Sequence, residues 1–492
     1  MTVVAVLLAA TTICAQWSFT LDQGFRTQVQ EKNVNSMALM EDGGLLISGR
    51  MRFLGDMSDR STVKLLPNGQ RDLSFPTFPQ TTGGGVITPW VDGKFYVGTT
   101  TVRRLLPNGL LDPSFIAPHT SPYFQGGSGG GGDYHVFSDG RVLLSGLHLL
   151  SDSIRAFEGQ YNLIWFSNEG YLDTTRMHRK GNGAVNRFVE LPNGQFICSG
   201  TCTEFEGQPV DWIFRVNADG SPDTTFRTGV FIGGARTYLP LPDGRVYVGG
   251  NFRRTEAPND TLRLVRFMPD GSLDPTFTIP QFTMGGGGIT APFGAYVHRI
   301  LSWSSGYLLV AGQFGNVNGE PRSSICMIDS TGQVHPAFSG NWLGSFTNGS
   351  ITNSAIADML PNEDNTALYI CGAYVGYGDG MANDPQQRFV SRLLVSELTV
   401  GLAESEVPKF SVQPNPVAQG GTVQVVLQLP GNSTTQGTMR LSVVGSDGRL
   451  VHEQAVQGDS YQMMNIPFSA GLYHLHLSDA DRWIATMKLV VE

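Results

Sequence analysis

Charge is scarce in this chain. Asp, Glu, Lys and Arg make up 15% of its 492 residues, against the roughly 25% usual in soluble domains, and Lys and Arg nowhere form a run. A net charge of −9 leaves no basic footprint with which to neutralise phosphates, which argues against nucleic acid as a partner. Cysteine is nearly absent as well. Cys14, Cys198, Cys202, Cys326 and Cys371 are too few to staple a scaffold of this size. Cys198 and Cys202 flank Ser-Gly-Thr and could pair or hold a metal, but no second Cys/His pair at ligand spacing completes a site. No metal and no cofactor is therefore expected. No His-Glu-x-x-His occurs and no paired carboxylates recur, so no catalytic residue is assigned. Helical periodicity is also missing, which excludes a helical solenoid.

What is abundant is glycine, at 61 residues, well above the usual roughly 7%. Much glycine with little charge suits short strands joined by tight turns. The length exceeds the ceiling for one hydrophobic core, so several domains or a repeat array is expected. The opening stretch, MTVVAVLLAATTICAQ, is apolar, too short to span a bilayer, and followed by small residues. Residues 1–15 thus read as a secretory signal peptide cut after Ala15. No Lys or Arg precedes its apolar core, so the true start of the signal can lie upstream. A lipid anchor on Cys14 is the rival, but Ile13 is bulky where such signals carry Gly or Ala. No transmembrane segment is expected in the mature chain.

One turn recurs along the chain. LPNGQRDLSF at 66–75, LPNGLLDPSF at 106–115, NADGSPDTTF at 217–226 and MPDGSLDPTF at 268–277 share an Asp and, three residues on, a Phe. Aligned on that Asp, the copies fall at Asp22, Asp72, Asp112, Asp173, Asp223 and Asp274, with His335 in the seventh slot, at intervals of 50, 40, 61, 50, 51 and 61 residues. A second element keeps step with the first: a turn, an apolar strand and a terminal Gly, as in SDGRVLLSG (138–146) and LPDGRVYVGG (241–250). Asp-Gly and Asn-Gly favour tight hairpins, so the strands run antiparallel. Both parities of these strands are apolar, so both faces are covered.

Four such strands in about 50 residues make a propeller blade. The N-terminal WSFTLDQGF supplies only a final strand, and the seventh unit, ending at FVSRLLV (389–395), lacks one. The fold expected is therefore all-β: a seven-bladed β-propeller over 16–398, closed by the N-terminal strand so that no edge is left free. The Asp side chains are expected to cap the turn. Phe25, Phe75, Phe115, Phe226, Phe277 and Phe338 are expected to wedge between blades, and Arg176, which replaces Phe in the third unit, should mark its least regular blade. The joint pattern resembles the delta-60 repeat family, whose secreted bacterial members are β-propeller-like; that resemblance implies no activity.

After a linker at 399–408 the character changes. Residues 409–492 contain hairpin-linked strands and read as a small β-sandwich. Pro414, Asn415 and Pro416, the hairpin Gly445 to Gly448, the Gly471-Leu472-Tyr473 strand and the terminal Lys488-Leu489-Val490-Val491 together resemble the type A sorting domain of type IX secretion. The resemblance implies a Bacteroidota-type protein that crosses the periplasm and is then secreted or attached to the outer surface. Its partners would be the type IX translocon and sorting machinery. His474 and His476 share one strand face, with Tyr473, Leu475 and Leu477 on the other.

For the propeller three readings stand: a binding or adhesion module for a glycan or protein, an extracellular hydrolase or lyase with its site in the channel or loops, and a structural surface component. A monomer is expected. The inserts 116–135, 147–163, 278–298 and 339–356 read as loops. Tyr123, Phe124, Trp342 and Phe346 are their candidate binding aromatics.

Overall fold

A computed structural model describes residues 16–76, 78–79, 85–98, 102–117, 124–125, 132–285, 294–348, 351–398, 409–428, 439–445, 449–456, 462–465, 468–479 and 482–492. The expected signal peptide at 1–15, the expected linker at 399–408, Tyr123 and Gly448 lie outside them. The described residues form strands and two short 3-10 turns, with no α-helix.

The antiparallel sheets follow the repeat. The first joins Val29–Leu39, Leu45–Phe53, Arg60–Leu65 and Phe78–Pro79, and the second Val86–Pro89, Phe95–Gly98 and Val102–Leu105. The third holds Tyr134–Val136, Val142–Asp152 and Phe157–Phe166, and the fourth Val185–Glu190, Phe196–Gly200, Ile213–Val216 and Pro222–Asp223. The fifth is Val230–Pro240, Val246–Arg254 and Ala257–Phe267, and the sixth Tyr296–Ser302, Tyr307–Gln313 and Ile325–Asp329. In the seventh, Ala355–Pro361, Ala367–Gly378 and Asn383–Leu398 are joined by Gln16–Leu21 from the other end of the chain. That strand runs antiparallel to Asn383–Leu398, from Gln16 opposite Leu398 to Leu21 opposite Leu393.

Apolar residues of both parities have two partners. In Leu45-Leu46-Ile47, Leu46 packs with Phe75, Ile87 and Phe95 toward the second sheet, while Leu45 and Ile47 pack with Tyr369 and Cys371 of the seventh. Tyr247 faces Val297 and Val310 of the sixth sheet, and its neighbours Val246 and Val248 face Ile197 of the fourth. Leu309 joins Ile356 and Met359 of the seventh. Every sheet thus packs on the next in chain order, and the seventh packs on the first.

The insert at 147–163, expected as a loop, is instead the far end of a long hairpin, Val142–Asp152 paired with Phe157–Phe166. Alternating buried residues, Leu150 and Tyr161 among them, keep it in the sheet. The C-terminal residues form two further sheets. Lys409–Gln413, Thr422–Gln428 and Gln462–Asn465 make one; Leu450–Val456, Met439–Gly445, Gly471–Asp479 and Arg482–Val491 make the other. Val412, Val425, Leu441, Val443, Leu475 and Leu489 form a common core between them.

Candidate functional site

The two ends of the strands are built differently. At one end lie the Asp-Gly and Asn-Gly turns, and each Asp of the repeat is held in the same way. Asp274 accepts the Thr276 N–H at 2.8 Å and its hydroxyl at 2.6 Å. Asp72, Asp112, Asp173 and Asp223 do the same with Ser74, Ser114, Thr175 and Thr225, and Asp22 accepts the Gly24 N–H.

Eight residues before the Asp stands a cation whose role the sequence pattern had not disclosed. Arg104 Nε donates to Asp112 at 2.8 Å, Arg215 to Asp223 at 2.8 Å and Arg266 to Asp274 at 2.6 Å, while Lys64 pairs with Asp72 at 3.4 Å. The seventh unit has no Asp of its own, and Arg392 donates instead to Asp22 at 2.7 Å. Each guanidinium also lies over the ring of the repeat Phe, from 4.8 Å for Arg215 on Phe226 to 5.2 Å for Arg266 on Phe277, a favourable cation–π geometry.

The same arginines reach the turn of the next unit. Arg104 donates to the Asn168 carbonyl, Arg215 to Pro269, Arg266 to Ser330 and Arg392 to Pro67. The residue after Phe adds a backbone bond to that turn, Thr278 N to Thr331 O at 2.8 Å and Arg26 N to Asn68 O at 3.0 Å. Glycine is required where these chains meet: at Gly332, with φ 92°, a Cβ would overlap the Thr278 carbonyl oxygen. The repeated turn is thus a latch between neighbouring sheets. Burial opposes ionisation of Asp223, but the Thr225 and Arg215 hydrogen bonds outweigh it and bring its pKa down to about 2.

Two junctions dispense with the cation eight residues before the repeat Asp or His. In the third unit Trp165 takes the arginine's place and Arg176 the Phe's; Arg179 instead reaches the Asp219 carbonyl at 3.0 Å. In the sixth, Met327 stands opposite His335, and cation and carboxylate are lost together. There Phe338 stacks on Phe19 at 4.4 Å. The repeat phenylalanines are buried, from Phe25 at 0% exposed to Phe338 at 8%, and Phe75, Phe115, Phe226 and Phe277 all lie in clusters shared by two successive sheets.

Toward the opposite end the first strands bulge. In five sheets the register slips by one residue, at Asn35, Asn186, Arg236, His298 and Ala357. The residue before each slip faces a glycine at the end of the second repeated element: Gly49, Gly200, Gly250, Gly312 or Gly372. A Cβ on Gly200 or Gly312 would overlap the carbonyl oxygen of Ala184 or Tyr296, so these glycines make room for the bulge. Bulges re-aim side chains. Asn35, His298 and Ala357, from three different sheets, line one cavity of about 370 Å3 with Lys32, Asn33, Arg50, Gln313 and Phe346.

Lys32 and Arg50 are both fixed by Asp59, at 2.6 and 2.7 Å. Burial, then the charges of Arg236 and Arg187, push the His298 pKa down to about 4 against the pull of the Ile356 backbone, so its ring is neutral at ordinary pH. The residue after the bulge ties neighbouring sheets together: Ser36 Oγ accepts Ile87 N–H, Thr237 accepts Ile300 N–H, and Asp358 accepts Met37 N–H and pairs with Arg299 at 3.0 Å.

Of the aromatics expected on loops, Phe346 lines this cavity and packs on Phe389 at 5.0 Å. Trp342, 46% exposed, sits on a short strand paired with Gly378, and Phe124 on one paired with Leu150. These three are not brought together, and Tyr123 is outside the described residues. Cys198 and Cys202 are both buried free thiols. In the C-terminal sheets, Asn415 donates to the Lys488 carbonyl at 2.7 Å and accepts the Val490 N–H at 2.9 Å, so the Pro414-Asn415-Pro416 and Lys488-to-Val491 segments adjoin. Tyr473 donates to Ser469 O from a strand that begins at Gly471. His474 and His476 lie on the less buried face, rings 6.2 Å apart. Among the described residues no group of three or more His, Cys, Asp or Glu could hold a metal, and no helix is long and apolar enough to cross a membrane.

A family model described as "Domain of unknown function (DUF5122) beta-propeller" matches residues 91–115, 191–226 and 241–277. Each match runs from the turn before a second strand and ends on a repeat phenylalanine, Phe115, Phe226 or Phe277. The chain therefore carries a β-propeller domain. No curated protein matches it. Among solved structures, the chicken CNTN1 FN1-FN3 domains are similar at 11% identity over 62% of this chain and 97% of that one, with a TM-score of 0.15. A Salmonella alpha-2-macroglobulin reacted with methylamine is similar at 10% identity over 94% of this chain and 46% of its own, with a TM-score of 0.14. At these TM-scores neither likeness bears on the fold.

Proposed function

We propose that the chain is a secreted or cell-surface binding or adhesion module for a glycan or protein, built on a seven-bladed β-propeller whose ligand enters at the bulged end. The observation that carries this reading is the convergence of three chemically different bulge residues, Asn35, His298 and Ala357, on one cavity. Its volume falls within the roughly 300–1,000 Å3 of small-ligand sites. Blade number and closure by the N-terminal strand draw support from the run of sheets, from the pairing of Gln16–Leu21 with Asn383–Leu398 and from the Arg392–Asp22 latch.

Binding of the full chain to a glycan array and to surface-protein extracts tests the reading. His298→Ala with Asn35→Ala should abolish whatever signal is found while the all-β circular dichroism spectrum is kept. Binding that survives in this double variant sinks it. A second reading, a hydrolase or lyase, draws on the same residues, with the neutral His298 imidazole as a weak proton acceptor and the arginines as stabilisers of a developing anion. New reducing ends from a bound polysaccharide, absent with His298→Ala, would establish it.

For the C-terminal module we adopt the type IX sorting reading, with 409–492 as a small β-sandwich. Its support is that the Pro414-Asn415-Pro416 and Lys488-to-Val491 segments adjoin through Asn415, so a translocon could read both as one surface. Deleting 409–492 should trap the chain in the periplasm. Export of the truncated chain overturns the assignment.

A further inference from the structure

The geometry points to an acidic carbohydrate, bearing a carboxylate or sulfate group, as the ligand of the bulged end, its anion held by Arg236, Arg253 and Arg263. This rests on the binding reading above and names its ligand class. Arg263 lies in the third strand of the fifth sheet. Its Nε and Nη1 are shut off from solvent, yet among the described residues no hydrogen-bond acceptor meets either. A guanidinium does not shed its charge in a protein, so an unpartnered buried one costs free energy that a bound anion would recover.

Other arginines of the same sheet are not left in this state: Arg245 and Arg266 share Asp274, and Arg254 has Glu256. Around Arg263, by contrast, cations gather. Burial lowers its pKa, the nearby Tyr296 opposes this, and the charge of Arg253 adds to it. Arg253 is oriented by its bond from Nε to Thr261 at 3.1 Å. Arg236, an exposed bulge residue, lies over the Tyr296 ring at 5.5 Å. Among the described residues no carboxylate pairs with any of the three.

The trio adjoins the cavity through His298, whose ring is 5.5 Å from that of Tyr296 and feels the Arg236 charge. The cavity itself offers the side-chain amides of Asn33, Asn35 and Gln313, paired donors and acceptors that suit sugar hydroxyls. Cations at one side and amides at the other match a hydroxylated ring that carries an acid.

The test is calorimetric titration of the full chain with an oligogalacturonate, a sulfated oligosaccharide, a neutral oligoglucan and polyglutamate. At least one acidic oligosaccharide should bind, the two arms separating carboxylate from sulfate, and affinity should fall as ionic strength rises. Arg236→Gln with Arg253→Gln should weaken binding at least about tenfold, as loss of charged hydrogen bonds does. Arg263→Met should abolish binding while leaving the melting temperature equal or higher, because it removes an uncompensated buried charge. A lower melting temperature in Arg263→Met would make that arginine structural and overturn the inference. So would polyglutamate binding as tightly as the sugars. A neutral glycan bound equally by wild type and arginine variants overturns the inference and leaves the binding reading standing; no binding to any glycan or surface protein overturns both.

Discussion

The two ends of the same strands carry opposite kinds of information. At the turn end, Asp, Phe and an arginine eight residues before the Asp are written again and again, and their groups are used up on each other: Arg266 alone meets Asp274, Tyr247, Ser330 and Thr276. At the bulged end the equivalent positions hold Asn35, Asn186, Arg236, His298 and Ala357, an amide twice, a guanidinium, an imidazole and a methyl. Among the described residues no carboxylate pairs there with Arg263 or Arg236. Repetition marks architecture, because every junction must solve the same packing problem. A single ligand needs its contacts only once.

The latch should fail hardest when broken. Removing one partner of a buried ion pair costs about 3–5 kcal/mol, so Arg266→Ala should lower the stability read from denaturant unfolding by that order. Met327→Ala at the unlatched sixth junction should cost only what its lost apolar volume explains, about 2–5 kcal/mol, with no added dependence on pH. Equal pH dependence in both variants would erase the distinction between latched and unlatched junctions.

Acid should separate the two ends next. Asp223 has a folded pKa of about 2 against a usual 3.8, so its contribution is complete above pH 3.8 and is lost as pH falls toward 2. His298 is depressed from 6.5 to about 4, and there the unfolded chain takes up the proton first, so stability declines as pH falls from 6.5 to 4. Melting temperatures measured against pH should therefore show two windows. Asp223→Asn should make the lower one shallower by that residue's share, beside Asp59, Asp112 and Asp274. His298→Gln should make the upper one shallower by its own, beside His178 and His476, which are also pushed down to about 4. The smallest effect belongs to the exposed mouth: Arg236→Gln should change stability by no more than about 0.5 kcal/mol. A larger loss would make Arg236 part of the scaffold.

Much of the turn end was legible in sequence. Asp-Gly hairpins, the Asp and Phe in register and the apolar strands all follow from local rules, and the two-faced burial of Leu45-Leu46-Ile47 follows from their lack of alternation. The latching cation was also present in the sequence, as Lys64, Arg104, Arg215 and Arg266 at one fixed offset, but the partner turns of the arginines lie 54 to 64 residues on, and for Arg392 at the other end of the chain, so only packing reveals the pair. The mouth could not be read this way. A bulge has no residue signature, and Asn35 and His298 meet across more than half the chain. Aromatic content in supposed loops was a poor guide, since of Phe124, Trp342 and Phe346 only Phe346 lines the cavity, and 147–163 turned out to be paired strand.

Hydrogen–deuterium exchange with and without a saturating oligogalacturonate tests the division of labour most directly. The account predicts protection of peptides around 233–238, 251–263 and 296–299 and no change in the turn peptides 66–75, 106–115 and 268–277. Protection of the turns, with the bulged strands unaffected, would contradict it.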